Sequence, residues 1–490
     1  MIKRLLITML LIGLAPHASA ESWTMEQMLQ KVINHYPSLK IASMQVEKAS
    51  KESIRIDSQF GWQLSGESGI SHQTSMTGSA VNQIMVGAGA ARKLNSGDML
   101  TLSGSLSRDN ITDSYGQPVQ IDPITNFSLM AEYRRSLRKG AENIDYKLAT
   151  TQAESGKKMA HAQERGQYDQ IASQVLALYL QAVTIHKQID NVKASVKHTK
   201  RLEKFVKSRL GLGISENKDE LQVTAQLNGL NAKLKGLNLL WIQQEITFNR
   251  LMGLPWNNKI QIDLSNSSQV HNDELQILID EAIQHSPELT VIAAELALAN
   301  SMIKSKSNNR KDTLDLVGFV GNRLAAGDTA IGSTTISEPQ IGIRIEYKKS
   351  LDHSGYDAEL SQAYLDRSIA LQKREDTKEQ LHYQIASLLA EIRGSKAAHD
   401  AAQLSVKSEQ AKLTEAEQRY KRGRIEIDRL IQFESQLTES KLALALQQVE
   451  LERRQYQLTL LRGAIWNKIE QPQYNWSDLS GADLLKSKTK

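Results

Sequence analysis

The sequence predicts an α+β protein in which long paired helices predominate and a few amphipathic strands form a sheet. Three observations support this fold class. Two very long stretches, 124–254 and 340–471, contain no proline, the residue that most strongly interrupts helices. Apolar residues recur in heptads within both stretches, as they do in coiled coils. Near the start of each stretch the apolar period is two, which is typical of strands with one apolar face.

The composition excludes several classes of protein. Of the 490 residues, 40% are hydrophobic, 23% are charged and 5% are aromatic, which differs from a disordered chain. The absence of cysteine removes disulfide scaffolds, cysteine zinc sites and thiol catalysis. The longest uncharged apolar run, 5–16, is shorter than the roughly 20 residues that a membrane helix needs. A polytopic helical membrane protein is therefore excluded.

An export signal is predicted over residues 1–20. Lys3 and Arg4 precede an apolar stretch, and Ala18-Ser19-Ala20 supply a cleavage site of small residues. We expect the mature chain to begin at Glu21. The sequence has neither a concentrated basic stripe nor an aromatic stacking pattern, so nucleic acid is not an expected partner. A cysteine-free exported chain suits the bacterial envelope.

The sequence contains an internal repeat. Ile33-Asn-His-Tyr-Pro-Ser-Leu39 resembles Ile283-Gln-His-Ser-Pro-Glu-Leu289, and Glu132-Tyr-Arg-Arg-Ser-Leu137 resembles Glu346-Tyr-Lys-Lys-Ser-Leu351. Such self-similarity constrains the architecture more strongly than local propensities do. We therefore predict a first structural repeat at 21–265, a second at 266–475 and a C-terminal tail at 476–490.

Each repeat is predicted to contain a long helical hairpin, at 141–254 and at 355–468. Heptad positions mark the buried seam of both. In the first hairpin they include Ile171, Val175, Leu178, Ala182, Ile185, Ile189, Val192 and Val196, and in the second Leu430, Leu437, Leu444, Leu451, Leu458 and Ile465. Glycine-rich breaks at 211–215 and 423–428 divide each hairpin, with Ser215 and Asp428 as candidate N-caps.

Four strands are predicted, two in each repeat, at about 60–71, 126–137, 314–324 and 340–351. Their alternation gives one apolar and one polar face, which fits a membrane β-barrel with a wet lumen. Because four strands cannot close a useful barrel and open edges are costly in lipid, several copies should share one barrel. Residues 82–122 are extra in the first repeat; with another alternating pair around 94–98, they are interpreted as an extended outer loop or hairpin.

Together these features resemble the TolC-type outer membrane efflux and secretion channels, over nearly the whole mature chain. The resemblance is carried by the Ile-x-His-x-Pro-x-Leu stretches, the strand-to-helix junctions at 137–140 and 351–354, and the paired hairpin tips. It implies a homotrimer with a 12-stranded barrel in outer membrane lipid and a 12-helix tunnel in the periplasm. It further implies a passive exit duct for small-molecule efflux or type I protein secretion, driven by an inner membrane pump through a periplasmic adaptor.

The resemblance assigns the hairpin tips to adaptor contact. The candidate residues of the two tips are Arg209, Leu210, Gly211, Leu212, Gly213 and Ile214, and Arg419, Tyr420, Gly423, Arg424 and Ile425. The glycines could equally be simple helix C-caps. Many relatives have proline at the strand-to-helix junction, whereas this chain has Ser136 and Ser350. We expect some other contact to hold the bend here.

Residues just beyond the tips are the candidate periplasmic entrance. Relatives often have acidic residues six and nine positions after the second tip glycine, where this chain has Arg429 and Gln432; the first-repeat counterpart is Asp219. Arg429 could neutralise Asp219, Glu426 or Asp428, which would give a charge-paired constriction. Ordinary surface charges are the alternative.

No enzymatic function is expected, and no catalytic residue, metal site or cofactor is predicted. The sequence lacks His-Glu-x-x-His, a phosphate-binding loop and Gly-x-Ser-x-Gly. The repeated His35 and His285 are interpreted as packing residues beside a proline. A periplasmic coiled-coil adaptor or scaffold outside the membrane is the alternative function, although its fold would require neither duplicated strands nor two hairpins per chain.

Overall fold

The computed structural model describes residues 22–74, 80–113, 121–213, 215–263, 274–329, 332–467, 469–470 and 472. The predicted export signal and C-terminal tail lie outside these residues. In chain order, the elements as far as the fifth strand are β1 (Ser22–Trp23), α1 (Met25–His35), α2 (Pro37–Gln59), β2 (Gln63–Thr74), β3 (Ala80–Lys93), β4 (Met99–Asp113) and β5 (Ile121–Ser136). They continue with α3 (Ile144–Gly211), α4 (Asn217–Met252), β6 (Gln261–Ile262), α5 (Leu275–His285), α6 (Pro287–Asn309), β7 (Thr313–Thr329), β8 (Gly332–Lys348), α7 (Ser354–Lys421) and α8 (Ile427–Leu461).

Long helices and one large sheet make up the fold, as the sequence predicts. Helices α3 and α7 each have 68 residues, α1 and α5 each have 11, and α2 and α6 each have 23. The helix lengths therefore match in pairs along the chain, while the internal repeat stays a prediction. Among the described helices, none combines the length and the apolar character that crossing a bilayer would require.

The described residues form two compact units. The helical unit comprises those within 1–43, 164–287 and 377–490, and the sheet unit comprises those within 44–163 and 288–376. In the helical unit, the predicted heptad seams are the buried faces: Ile185, Ile189 and Val192 pack with Leu227 in one core, and Leu430 and Leu437 pack in another. A short parallel pair, β1 with β6, also belongs to this unit.

Helix termini are fixed by local capping. Thr24 and Gln27 form a capping box at the start of α1, and Glu216 and Asp219 form one at the start of α4. The N-cap of α8 is Glu426. The expected N-caps Ser215 and Asp428 are therefore wrong: Ser215 lies one residue before the N-cap, and Asp428 lies in the first turn of its helix, where a carboxylate still favours the helix dipole.

The duplicated histidines pack against glycines that end helices. Gly253 follows α4 with φ of +67°, and a Cβ added to it would overlap the His35 ring. Gly463 follows α8 with φ of +68° and faces His285 in the same way. The interpretation of both histidines as packing residues is consistent with these contacts, in which the missing Cβ of each glycine leaves room for an imidazole.

Replacing Gly463 with alanine is expected to destabilise the protein by about 2 kcal/mol, because a new Cβ would lie 2.9 Å from Cβ of His285 at a positive φ. The temperature of unfolding of the purified protein measures the loss. Gly236→Ala in α4 is the control, because an added Cβ meets nothing within 4 Å there and alanine favours a helix. Equal unfolding temperatures for the two variants would contradict the packing role.

The sheet unit contains one antiparallel sheet of six strands in the order β2-β3-β4-β5-β7-β8. The prediction of four strands is therefore wrong. Residues 82–122, interpreted as an outer loop or hairpin, instead contribute most of β3, all of β4 and the start of β5. Residues 94–98, for which the sequence predicts alternation, form the turn that joins β3 to β4. Glycine, serine and alanine are so frequent in these strands that their apolar period is weak.

The other strands lie near the predicted positions, with shifted ends. Strand β2 begins three residues after the predicted start, because Phe60 belongs to a turn and packs edge-on against Tyr146 at 4.6 Å. Strand β7 extends beyond both predicted limits, whereas β5 and β8 begin earlier than predicted, include Pro123 and Pro339, and end one and three residues before their predicted limits. Pro339 stands opposite Asn322 in the register. These prolines therefore lie within strands, whereas the prediction treated them as the boundaries of the proline-free stretches.

Candidate functional site

One face of the six-stranded sheet is apolar and exposed. The register aligns its side chains across the strands, since Leu106 of β4 stands opposite both Val86 of β3 and Phe127 of β5. The other members are Leu64, Ile70, Ile84, Leu102, Leu129, Val320, Ile341, Ile343 and Ile345. Leu64 and Ile341 are each 85% exposed. A continuous apolar surface of this extent indicates contact with lipid or with another protein.

The opposite face of the sheet is polar and carries small side chains over much of its width. Ser105 and Ser128 share a hydrogen bond of 2.7 Å between their hydroxyl oxygens. The Asp109 carboxylate accepts from the amides of Gln83 at 2.8 Å and Asn126 at 2.9 Å. This face can therefore be hydrated, while the apolar face cannot be hydrated without cost.

A charge cluster lies on this polar face where β5, β7 and β8 meet. The Arg134 guanidinium lies 2.5 Å from Glu346, 3.2 Å from Asp315 and 3.3 Å from Glu132. The Arg344 guanidinium lies 2.7 Å from Glu346 and 3.5 Å from Glu132. Two guanidiniums thus meet three carboxylates, and the cluster carries one net negative charge per chain.

The bend from β5 into α3 is held by the turn between β3 and β4. Gly140, Glu142 and Asn143 all have positive φ, of 85°, 62° and 52°. The buried Asn143 amide donates to the carbonyl oxygen of Leu94 at 3.2 Å. An added Cβ on Gly97 would lie 2.8 Å from the Asn143 nitrogen. The contact expected in place of a junction proline is therefore this turn, docked against the junction.

The two hairpin tips end in left-handed glycines. Gly213, with φ of +73°, follows α3 and donates its N–H to Leu210 O at 2.9 Å. Gly423, with φ of +70°, follows α7 and donates to Tyr420 O at 2.9 Å. Both glycines therefore cap the C-termini of their helices. The neighbouring Leu212 is 73% exposed. Ile214 lies outside the described residues.

The two tips contact each other through an arginine and two aromatic rings. The Arg209 guanidinium donates to Tyr420 O at 3.2 Å. Its central carbon also lies 5.8 Å from the Phe205 ring centroid and 5.6 Å from that of Tyr420. Burial raises the pKa of the Tyr420 hydroxyl, and the negative charge of Asp219 raises it further. The tips therefore present one joint surface.

The structure brings together only some of the predicted tip and entrance residues. A cavity of about 200 Å³ is lined by Arg209, Asp219, Tyr420, Gly423, Ile425 and Glu426, among others. Outside it, Arg419 pairs with Glu415 on its own helix, and Arg424 is exposed. Arg429 is exposed and donates to Gln432 at 3.0 Å. Asp219 closes a capping box with Glu216.

A polar cluster that was not predicted from the sequence connects α3 with α7 and α8 near the tips. His198 of α3 lies between two carboxylates: its Nε2 is 2.7 Å from Glu417 Oε1, and its Nδ1 is 3.0 Å from Glu434 Oε1. The buried Thr199 hydroxyl donates to Glu434 at 3.3 Å. The carboxylate of Glu434 and then that of Glu417 favour the charged imidazolium and raise the pKa of His198 to about 9, against the opposing effect of burial.

Comparison with known proteins identifies the fold. No protein-family signature and no curated protein matches the sequence, but solved structures do match the fold. The outer membrane protein VceC from Vibrio cholerae shares 14% sequence identity at a TM-score of 0.61, over 90% of this chain and 95% of that chain. CusC, whose structures concern transmembrane channel formation, shares 14% at 0.62, over 90% and 92%.

A third match is the Campylobacter jejuni CmeC outer membrane channel, with 14% identity and a TM-score of 0.56 over 95% of this chain and 89% of that chain. This chain has the fold of these outer membrane proteins, as the resemblance to TolC-type channels implied. At such low sequence identity the likeness concerns the fold. The sheet differs from what the resemblance implied. A trimeric barrel of 12 strands would need four strands from each chain, and this chain has six in its sheet.

The cluster around His198 had a signal in the heptads of the sequence. Continuing the alternation of four and three from Val192 and Val196 reaches Thr199, and the position four after Leu430 is Glu434. Both are polar residues at seam positions that otherwise hold apolar side chains. A polar residue at a seam position usually has a partner across the interface, so the two interruptions could have been paired.

Proposed function

We propose that this protein is the outer membrane channel of a tripartite export system and acts as a passive exit duct. The observation that supports this most strongly is a TolC-type fold whose sheet exposes one apolar and one polar face. The apolar face would contact the hydrocarbon of the outer membrane, and the polar face would line a wet lumen. A homotrimer supplies the copies needed to close the barrel.

The tips of the long helices would lie in the periplasm, where their joint surface would bind a periplasmic adaptor. Exposed Leu212 offers an apolar contact there, and exposed Lys421, Arg422 and Arg424 offer positive charge. An adaptor tip with apolar and acidic residues would fit both. Energy would come from an inner membrane pump, and the cargo would be a small molecule or a secreted protein.

Membrane fractionation and conductance test this function. We expect a heat-modifiable, detergent-resistant trimer in the outer membrane fraction that conducts ions in planar bilayers. A soluble periplasmic monomer without conductance would contradict the proposal and would favour a coiled-coil adaptor or scaffold.

Cysteines introduced singly at Leu212 and Arg424 test the adaptor contact, because the chain has no cysteine of its own. Each is expected to crosslink to an adaptor in the envelope, whose identity would indicate the cargo. A cysteine at the exposed position Asn228 or Lys233 of α4 lies away from the tips and is the control. Equal crosslinking from the tip and from α4 would exclude a specific adaptor surface.

We further propose that Asp219 and Arg429 of neighbouring copies balance charge at the periplasmic entrance. Asp219→Asn keeps a capping oxygen but removes a negative charge, so cation preference should fall. Arg429→Gln removes a positive charge, so cation preference should rise. Reversal potentials under a salt gradient measure both shifts, with Lys233→Gln as the control. If both variants keep the selectivity of the natural protein, these residues are ordinary surface charges.

A further inference from the structure

The inserted strands β3 and β4 are continuous parts of the sheet. Residues 63–74 of β2 pair with 80–91 of β3 without a break in register. The pairing of β3 with β4 shifts only between Ala80 and Val81, and that of β4 with β5 shifts only between Asp109 and Ile111. A hairpin that folded away from the sheet would leave β2 beside β5. Here the two strands are separated by the full width of β3 and β4.

The two faces of the sheet also continue across the insertion. Ile84, Val86, Leu102 and Leu106 extend the apolar face, and each is at least 42% exposed. On the polar face the same strands carry Gly87, Gly89, Ser103, Ser105 and Ser107. An outer loop has no requirement for this alternation, whereas a strand in contact with lipid on one side and water on the other requires it.

The edges of the sheet are β2 and β8. Within the described sheet, each pairs with a neighbour on one side only. Each unpaired backbone group in lipid costs several kcal/mol, so both edges need partners there. With six antiparallel strands, β2 and β8 run in opposite directions, and β2 of one copy can pair antiparallel with β8 of the next. An insertion of two strands preserves this relation, and an insertion of one would not.

We propose that each chain contributes six strands to the barrel wall, and that the edges close by pairing β2 of one copy with β8 of the next. This inference rests on the proposed trimeric channel. Three copies of six strands would give about 18 strands, compared with the 12 that the resemblance implied. Because barrel diameter grows roughly linearly with strand number, the wall would be about one and a half times as wide and the lumen cross-section about twofold larger.

The residues on the polar face of β3 and β4 also favour a wide lumen. In the middle of β3 and β4 the polar face carries Gly87, Gly89, Ser103 and Ser105, whereas bulky side chains there would narrow the lumen. The chemistry and the width therefore fit hydrophilic solutes too bulky for a 12-stranded wall. The specificity of such a duct would depend on size more than on binding.

Disulfide crosslinking tests the edge pairing in the full chain, which has no cysteine to interfere. Ser68→Cys on the apolar side of β2 is combined in turn with cysteines at Ile341, Ile343 and Ile345 on the apolar side of β8. We expect one combination to give covalent dimers and trimers. Ser68→Cys with Gly342→Cys, on the opposite face of β8, is the matched control and should give none. Absence of crosslinks from all three combinations would overturn the proposed edge pairing.

A second pair tests whether the insertion stays in the wall. Gly66→Cys and Leu129→Cys lie on β2 and β5, three strand spacings or about 14 Å apart, beyond the reach of a disulfide. Leu64→Cys with Ala90→Cys, directly opposite on β2 and β3, should crosslink and provides the control. A disulfide between positions 66 and 129 would mean that β2 pairs with β5, and would overturn the proposal.

Polymer exclusion in planar bilayers tests the width. Polyethylene glycols of increasing size are added from the side of the barrel, and deletion of residues 80–113 leaves a four-stranded chain for comparison. The natural protein should admit polymers with about one and a half times the radius. Equal cut-offs would overturn the wider wall. Crosslinked edges in a protein that never conducts would instead overturn the proposed channel function and leave the strand count standing.

Discussion

Replacing Gly97 with alanine is expected to destabilise the protein by about 3 kcal/mol. Gly97 has φ of +90°, and a Cβ there would lie 2.8 Å from both the Asn143 nitrogen and the Gly140 oxygen. Both atoms belong to backbone that is itself constrained at the junction, so neither can rotate away. Thermal unfolding of the purified protein, followed by circular dichroism, measures the loss.

The surrounding contacts explain why this turn has little freedom. The Leu94 N–H donates to Asp98 O at 2.7 Å, and the buried Asp98 carboxylate accepts from Tyr133 Oη at 2.6 Å. Displacing Gly97 would also disturb the Asn143 amide that donates to Leu94 O. The substitution therefore weakens the junction between sheet and helix as well as the turn.

Two control variants separate this effect from a general sensitivity to substitution. Gly156→Ala in α3, where a Cβ meets nothing within 4 Å, should leave stability unchanged or raise it by up to about 1 kcal/mol. Glu142→Gly, at an exposed position with φ of 62°, should also be tolerated. If Gly97→Ala unfolds at the same temperature as Gly156→Ala, the turn does not hold the junction.

Replacing His198 with alanine is expected to cost about 3 kcal/mol at neutral pH, because it leaves buried Glu434 without its cationic partner. Glu434 is only 4% exposed, and among the described residues the Thr199 hydroxyl would remain hydrogen-bonded to its carboxylate. The loss should appear as a lower free energy of unfolding in urea. His399→Gln is the control, because His399 pairs with the adjacent Asp400 on its own helix.

The same pair predicts a dependence on pH. The pKa of His198 is raised to about 9 in the folded protein, compared with about 6.5 when unfolded. Its stabilising effect should therefore be complete below about pH 6.5 and should disappear as the pH rises through 9. The charged residues that line or adjoin the cavity around His198 are Arg201, Glu417, Lys421 and Glu434. The natural protein is therefore compared with His198→Ala, which keeps all four.

The difference in unfolding free energy between the natural protein and His198→Ala should shrink between pH 7 and pH 10. Glu434→Gln keeps the size of the side chain and removes the main charge partner. This variant should lose the stabilising effect of His198 at a lower pH than the natural protein does. A difference that stays constant over this range would mean that His198 is neutral at pH 7 and contributes by packing alone.

Much of the helical architecture could be predicted because its physical signal is local and repeated. Proline-free spans permitted long helices, and the heptads placed Ile185, Val192 and Leu430 on buried seams before any contact was known. Gly213 and Gly423 marked the tips because only glycine readily adopts the left-handed conformation that ends these helices. The same heptads are interrupted at Thr199 and Glu434; these interruptions were not used in the prediction, and by themselves they do not show that the two residues meet.

The strand count was not recoverable in this way. Strands β3 and β4 contain glycine, alanine and serine where a stronger pattern would have large apolar residues, and their turn at 94–98 contains the residues most suggestive of alternation. Membership of the sheet was decided by backbone hydrogen bonding of β3 to β2 and of β4 to β5, which a weak side-chain alternation does not report.

The sequence by itself determined the long helices, their buried seams, the tip glycines and the amphipathic character of most strands, since each depends on residues close together along the chain. Tertiary structure alone decided that six strands share the sheet, that the turn at Gly97 holds the junction at Asn143, and that His198 lies between Glu417 and Glu434. These features depend on backbone pairing and charge contacts between distant segments, and no single segment encodes such a partner.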